Sequence, residues 1–104
     1  MGVLNYSDLG LTIVKGIKTF KWGTKEIQIL TYLPVETKYD IVMITLQKSF
    51  EDGIYNPIKL DMFYHLNLVY AFTNLVFTDE ERANESKLYD EMLSSGFLKL
   101  FYNN

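Results

Sequence analysis

The sequence predicts an α+β domain in which an N-terminal β-hairpin packs on a bundle of three to four helices. Two short apolar segments flank a Gly-Thr pair early in the chain, and the later segments repeat apolar residues at helical spacing. The chain has 104 residues, the length of one domain, since single cores form in units of roughly 100–200 residues. We therefore expect a single domain over 1–104, with the hairpin at about 11–33 and the helical part at about 34–102.

The hairpin is predicted from Lys18–Trp22 and Lys25–Ile29, which flank Gly23-Thr24. A two-residue loop that begins with glycine suits a type II′ turn, because glycine takes the positive φ at its first position. Pairing across this turn sets Phe20 opposite Ile27 and places the apolar side chains on one face.

The segment before the hairpin allows a third short strand. Leu11–Ile17 is apolar, but Gly16 interrupts it and suggests a bulge. The predicted sheet therefore has two strands, with a third as an alternative.

The first helix is predicted to enter at Pro34, a residue favoured in the first helical turn, and to stop at Glu51–Gly53. The residues that step by three and four along its predicted apolar face are Val35, Tyr39, Val42, Leu46 and Ser49-Phe50.

The next helix is predicted over about 57–72 and begins at Asn56-Pro57, an N-cap followed by proline. Apolar residues cover nearly its whole circumference, which is typical of a helix buried on several sides. We therefore expect this segment to be the central helix.

The last helical region opens with a capping-box pattern at Thr78–Glu81 and ends at Ser95-Gly96. A break near Asn84 would divide it into two short helices. Phe97–Tyr102 then forms a final apolar turn or a short extra helix.

Composition excludes several kinds of site. There are no cysteines, so disulfides, thiolate zinc sites and cysteine nucleophiles are ruled out. The sequence contains none of the glycine-rich phosphate-binding, zinc-protease or serine-hydrolase motifs. The single histidine, His65, shares a helical face with Asp61, but two such ligands make a poor zinc site, and we expect a structural histidine. The sequence therefore predicts no enzyme, no metal and no cofactor.

The N-terminal segment has no basic region followed by a long apolar run, so we expect no signal peptide. Met62–Thr78, the longest stretch without a charged side chain, is shorter than the roughly 20 residues of a membrane span. We expect a buried helix there and no membrane partner.

Charge is distributed unevenly along the chain. Ten Lys/Arg against thirteen Asp/Glu give a net charge of −3, whereas duplex nucleic-acid binding normally requires a basic footprint. The early basic and late acidic clusters are Lys15, Lys18, Lys21 and Lys25, and Asp79, Glu80, Glu81, Glu85, Asp90 and Glu91. Ordinary solvated surfaces and two faces that steer a charged partner both fit this pattern.

Exposed aromatic and acidic side chains are the remaining candidates for function. Tryptophan and tyrosine are enriched in binding hot spots, and several aromatic residues fall at turns or chain ends. The partner-binding candidates are Trp22, Tyr55, Phe101, Tyr102, Glu80 and Glu81. The alternative for the aromatic residues is that they cover the edge of a small core, which we prefer for Phe97.

Four segments carry a resemblance to known proteins: Phe20–Ile27, Tyr32–Glu36, Tyr55–Pro57, and Phe77-Thr78 with Lys87–Asp90. Here the chain resembles small accessory and assembly proteins of tailed bacteriophages of Gram-positive hosts. The resemblance covers most of the chain, from the hairpin to Gly96, and brings no catalytic residues. Members often continue past the position equivalent to Tyr102, which leaves open whether the native chain extends beyond Asn104.

Together these observations predict a phage structural protein or a virion or tail-assembly protein that acts by protein–protein contact. Its expected partner is a virion or assembly component or a second copy of the chain, in the host cytoplasm or in the virion. The alternative is a phage-encoded inhibitor of a host enzyme or defence system, with the acidic stretch Asp79–Glu91 occupying a basic groove. A weaker third hypothesis is single-strand binding by the lysines around Trp22; nucleic acid is otherwise not an expected partner.

Overall fold

The computed structural model describes residues 2–103. Met1 and Asn104, the outer limits of the predicted domain, lie outside the described residues. In chain order the elements are a 3₁₀ turn (Tyr6–Leu9), β1 (Ile17–Trp22), β2 (Lys25–Leu30), α1 (Val35–Ser49), β3 (Phe50–Glu51), β4 (Ile54–Tyr55), α2 (Pro57–Phe72), α3 (Asp79–Ala83), α4 (Glu85–Ser94) and α5 (Phe97–Tyr102). The predicted α+β class is confirmed, with the β1–β2 hairpin packed on helices.

The predicted register of the hairpin is confirmed. Phe20 pairs with Ile27 and Trp22 with Lys25 across the turn. Gly23 has a φ of 66°, the conformation that the first turn position requires. Phe20, Ile27 and Ile29 are buried, so this face of the hairpin enters the core.

The alternative third strand is wrong. Residues 11–16 form no strand, and β1 begins at Ile17. The chain separates from the hairpin at Gly16, whose carbonyl accepts a hydrogen bond from the Thr31 amide at 3.0 Å. A Cβ at Gly16 would stand 3.1 Å from the Thr31 hydroxyl oxygen, so the absence of a side chain permits this close approach.

The outer edge of β2 is covered by the chain that follows α2. Ile29 forms a β-bridge with Thr73, and the Asn74 amide donates to the Gln28 carbonyl at 3.2 Å. The Gln28 amide donates in return to the side-chain oxygen of Asn74 at 3.0 Å. These bonds satisfy edge groups that would otherwise be open to pairing with another strand.

A second hairpin, absent from the sequence prediction, follows α1. Phe50 pairs with Tyr55 and Glu51 with Ile54 around Asp52-Gly53. Asp52 and Gly53 have φ values of 53° and 82°, as a type I′ turn requires at both central positions. The sequence interpretation took Glu51–Gly53 as a helix stop only, although Asp-Gly is a strong signal for this turn.

The predicted apolar face of α1 is wrong except at Ser49, which is buried. Val35 and Tyr39 are 73% and 65% exposed, while the buried side chains are Ile41, Thr45 and Ser49, at intervals of four residues. Burial of the two hydroxyls costs little, because each donates to the carbonyl one turn earlier, from Thr45 to Ile41 at 2.7 Å and from Ser49 to Thr45 at 2.6 Å.

Helix α2 lies at the centre of the core, as predicted. Leu66 and Val69 are 1% and 0% exposed. The buried cluster around them comprises Phe20, Ile27, Ile29, Met92, Phe97, Leu98 and Phe101. The first turn of α2 is less covered than its apolar circumference suggests, since Ile58 is 78% exposed.

A buried hydrogen bond joins α1 to α2. The Asn67 side-chain amide donates to the Thr45 hydroxyl at 3.0 Å, and both residues are buried. The same hydroxyl donates to the Ile41 carbonyl, so one oxygen satisfies groups on two helices. Buried polar groups of this kind fix the relative position of helices that apolar contact alone would leave less specific.

We expect Thr45→Val to destabilise the protein by about 1–3 kcal/mol, because the buried Asn67 amide loses its acceptor. Thr45→Ser, which keeps the hydroxyl, should cost less. Urea unfolding followed by circular dichroism measures both. Equal stability of Thr45→Val and the wild type would show that the bond between Asn67 and Thr45 contributes nothing.

Candidate interaction surfaces

The chain before β1 forms an N-terminal arm, residues 2–16, in which every side chain is exposed. Two of its hydrogen bonds are local, from the Asp8 amide to the Asn5 carbonyl at 3.0 Å and from the Gly10 amide to the Ser7 carbonyl at 3.3 Å, and its last residue, Gly16, accepts from the Thr31 amide. The large apolar side chains of the arm, 52% to 95% exposed, are Val3, Leu4, Tyr6, Leu9, Leu11, Ile13 and Val14.

The arm extends away from the rest of the chain. The radius of gyration is 17.4 Å and the principal extents are 56 × 44 × 24 Å. A compact domain of about 100 residues has a radius of gyration of about 13 Å. The difference is consistent with an arm that projects from the packed body.

A cavity of about 320 Å³ opens beside the base of the arm, between the open end of the hairpin, α2 and α5. We call it the base cavity. Its lining residues are Lys18, Ile29, Leu30, Thr31, Leu68, Phe72, Phe101 and Tyr102. Ile29 and Phe101 are buried and form its floor, while Lys18, Leu30 and Tyr102 are exposed at its rim. The cavity is thus mainly apolar with a lysine at its edge.

A polar network ties α5 to α2 and α4. His65 Nε2 lies 3.1 Å from the Asp61 carboxylate, which also accepts a hydrogen bond from the Tyr89 hydroxyl at 2.9 Å. His65 Nδ1 contacts the Tyr102 hydroxyl. The predicted structural role of His65 fits these contacts, since its ring joins side chains from two helices.

The network places a hydroxyl beside an imidazole and a carboxylate. A carboxylate, an imidazole and a hydroxyl in series are the parts of an activated nucleophile. However, burial, with smaller effects from Tyr64, Tyr89 and Asp61, raises the pKa of Tyr102 to about 12. The phenol therefore stays protonated at neutral pH, where it can donate or accept a hydrogen bond.

Trp22 lies partly in the core. Its ring packs edge-on against Phe97 with 5.8 Å between centroids, and it is 38% exposed. Phe97 is buried, in line with its expected place at the core. Trp22 therefore covers the edge of the core, and it is exposed enough for the predicted contact with a partner.

Phe101 does not lie on an open surface, because it is 7% exposed and belongs to the buried cluster. Its expected exposure is therefore wrong, whereas a role in partner binding stays a prediction, since Phe101 lines the base cavity. Tyr102 is 49% exposed, at the rim of the base cavity. The consecutive positions differ because α5 turns Phe101 towards the core and Tyr102 towards the rim.

Tyr55 belongs to an apolar patch on the second hairpin. It is 50% exposed and packs against Phe50 with ring centroids 5.2 Å apart. Met43 and Leu46 of α1 line the same shallow cavity of about 360 Å³. This patch is distinct from the base cavity, with which it shares no lining residue.

Glu80 and Glu81 are exposed on the one-turn helix α3. Both line a small cavity of about 150 Å³ with Glu91 of α4. Glu81 completes the predicted capping box: its carboxylate accepts from the Thr78 amide at 2.8 Å, and its amide donates to the Thr78 hydroxyl at 3.1 Å. Glu81 therefore has a structural task, whereas Glu80 remains a candidate for partner contact.

Glu85 also has a structural task. It accepts from the Lys48 ammonium at 2.9 Å and from the Tyr70 hydroxyl at 2.9 Å. The Arg82 guanidinium lies over the Tyr70 ring, 4.1 Å from its centroid. Burial, reinforced by Glu85, raises the pKa of Tyr70. The acidic stretch thus divides into residues that hold α3 and α4 in place and residues that face outward.

The six predicted site residues therefore do not form one site. Phe101 and Tyr102 meet at the base cavity, and Glu80 and Glu81 at α3, whereas Trp22 and Tyr55 lie on separate surfaces. Sequence reasoning missed the exposure of the N-terminal arm. Its signal was present: apolar residues before the hairpin, without the periodicity of a helix and beyond the paired strands.

Within residues 2–103, no three histidine, aspartate or glutamate side chains converge in a way that would hold a metal ion. None of the helices in this part of the chain combines the length and apolarity needed to cross a membrane. Comparisons of the chain with protein families, curated proteins and solved structures found no match.

We expect Glu81→Gln to reduce the pH dependence of stability between neutral pH and pH 3. The bonds from Thr78 lower the pKa of Glu81, so its ionised form stabilises the fold above the unfolded pKa of about 4.5. That contribution is lost as the pH falls through the lower folded pKa. Glutamine can still cap the helix but does not titrate.

Urea unfolding of both proteins at several pH values tests this expectation. The advantage of the wild type over Glu81→Gln should shrink as the solution is acidified. Glu80→Gln, which removes a neighbouring carboxylate outside the capping box, is the matched control. An advantage that is constant with pH would contradict a stabilising role for the Glu81 charge.

Proposed function

We propose that this chain is a structural or assembly protein of a tailed bacteriophage that acts by protein–protein contact. The observation that supports it most is the N-terminal arm, with seven large apolar side chains exposed to solvent. Burying one such side chain stabilises a protein by about 1.5–3 kcal/mol, so the arm leaves a large favourable term unused in the isolated chain. A partner that covers the arm would recover it.

The viral context of the proposal comes from the resemblance of the hairpin, of Tyr55–Pro57 and of Lys87–Asp90 to phage accessory proteins. These segments are turns, caps and helix surfaces, so they support a shared fold more than a shared partner. The apolar patch around Phe50 and Tyr55 adds a second surface suited to contact. Two such surfaces on a small chain favour a component that joins others.

The inhibitor alternative has one observation of its own. Glu80 and Glu91 are exposed and line the same small cavity at α3 and α4. They form an acidic surface that a basic groove of a host protein could receive. Glu81 and Glu85 are unsuitable for testing it, because both hold the helices in place.

Plaque formation by the phage that encodes the chain distinguishes the two functions. The combined substitution Leu4→Asp, Leu11→Asp and Val14→Asp makes the arm polar, and we expect it to reduce plaque titre at least a hundredfold with incomplete particles visible by electron microscopy. Val76→Asp, at a position 93% exposed outside the arm, is the matched control and should form normal plaques.

Normal titre and normal particles from the arm variant would contradict an assembly role. The inhibitor alternative predicts a different pattern: Glu80→Lys with Glu91→Lys would abolish growth only in hosts that carry the target, and particle structure would be normal. Circular dichroism of each purified variant verifies that the body remains folded.

A further inference from the structure

We propose that the partner of the N-terminal arm is a second copy of this chain, with the arm of each copy seated in the base cavity of the other. This inference rests on the proposed function, since it names the protein that the arm contacts. It commits the arm residues 2–14 and the cavity between β1, β2, α2 and α5 to one interface.

The arm and the cavity match in polarity. The arm offers a run of aliphatic side chains, among them Leu9, Leu11 and Ile13, each more than half exposed. The cavity offers an apolar floor of Ile29 and Phe101, and a volume of about 320 Å³, at the lower end of the roughly 300–1,000 Å³ of ligand pockets. A cavity of this volume holds a few aliphatic side chains, which the arm can supply.

Charge supplies a second match. Asp8 is the only acidic residue of the arm, whose other charged residue is Lys15, and Lys18 is the only charged residue among the described residues that line the base cavity. Neither Asp8 nor Lys18 forms an ion pair within residues 2–103. An arm seated in the cavity brings these opposite charges to the same interface, where complementary charges fix register.

The position of the arm favours exchange between copies. The arm departs at Gly16, which the Thr31 amide holds at the cavity entrance. From there it runs outward with all its side chains exposed, and it does not fold back into its own cavity. The arm contains a 3₁₀ turn at Tyr6–Leu9, so it is shorter than the roughly 45 Å that thirteen fully extended residues span. Its residues on either side of this turn could still reach a neighbouring molecule.

Self-association also explains why both surfaces occur in one chain. A two-fold contact uses the same patch on each subunit, so one interface covers two arms and two cavities at once. Exchange of an identical segment is a common route to dimers, because each copy supplies what the other lacks.

A charge-exchange experiment on the full chain tests this assignment. Asp8→Lys and Lys18→Asp are made separately, and self-association is measured by sedimentation over a range of concentrations. The wild type should form dimers or larger closed assemblies. Each variant alone should associate about tenfold more weakly, because the first substitution sets two positive charges and the second sets two negative charges against each other at the interface.

An equimolar mixture of the two variants should recover association to within about threefold of the wild type. In the mixed pair, one interface half joins the substituted arm to the substituted cavity, and the other half is native. Leu11→Glu should weaken association more than either charge substitution does. Mixing Leu11→Glu with Lys18→Asp should not restore association. Lys21→Asp, on the same strand but outside the cavity, is the matched control and should associate normally.

A wild-type chain that remains monomeric at every concentration would overturn the inference, as would a mixture no better than its components. Neither result would by itself overturn the proposed function. If the wild type is monomeric and the polar arm variant still loses plaques, the arm binds a different protein. If the arm variant also forms normal plaques, both proposals fail.

Discussion

Burial of Leu66 and Val69 of α2 organises the rest of this structure. The apolar face of the β1–β2 hairpin lies on one side of these residues, and side chains of α4 and α5 lie on another. A chain of 104 residues buries only about two-thirds of the surface that its unfolded form exposes, so one central helix has to serve nearly every other element. The hydrogen bond between Asn67 and Thr45 then fixes α1 against the same helix.

Because α2 occupies the centre of the core, the molecule divides into a packed body and an exposed arm. The apolar side chains of residues 2–16 find no place in the packed body, although they are as hydrophobic as many that do. The body is also incompletely packed at the base cavity, where α5 and the open end of the hairpin do not meet fully over Phe72. The proposed contact between copies would cover both the exposed arm and the apolar cavity at its base.

The sequence predicted correctly those turns and helix starts that depend on only a few neighbouring residues. Gly23 at the turn, Asn56-Pro57 at the start of α2 and the capping box from Thr78 to Glu81 each act within a few residues, so the sequence carries their whole cause. The second hairpin was equally local, and Asp52-Gly53 would have predicted it. Its strands have only two residues each, too short to show alternation of apolar and polar positions.

Features that depend on tertiary contact were less predictable. The buried face of α1 carries Thr45 and Ser49, which look polar in sequence and become suitable for burial only after bonding to the helix backbone. Phe101 and Tyr102 differ in exposure because of the direction in which α5 leaves Gly96. The candidate interaction surface was the least predictable feature. An exposed apolar arm and a buried strand have similar composition, so the sequence does not distinguish them.

Hydrogen–deuterium exchange followed by mass spectrometry tests the division between body and arm most directly. In dilute solution, the amides of Leu66–Val69 should be the last to exchange, and those of residues 2–14 should exchange within the first time point. At higher concentration the arm should gain protection together with the peptides that contain Lys18 and Thr31. Strong protection of the arm in dilute monomer, or rapid exchange in α2, would contradict this account.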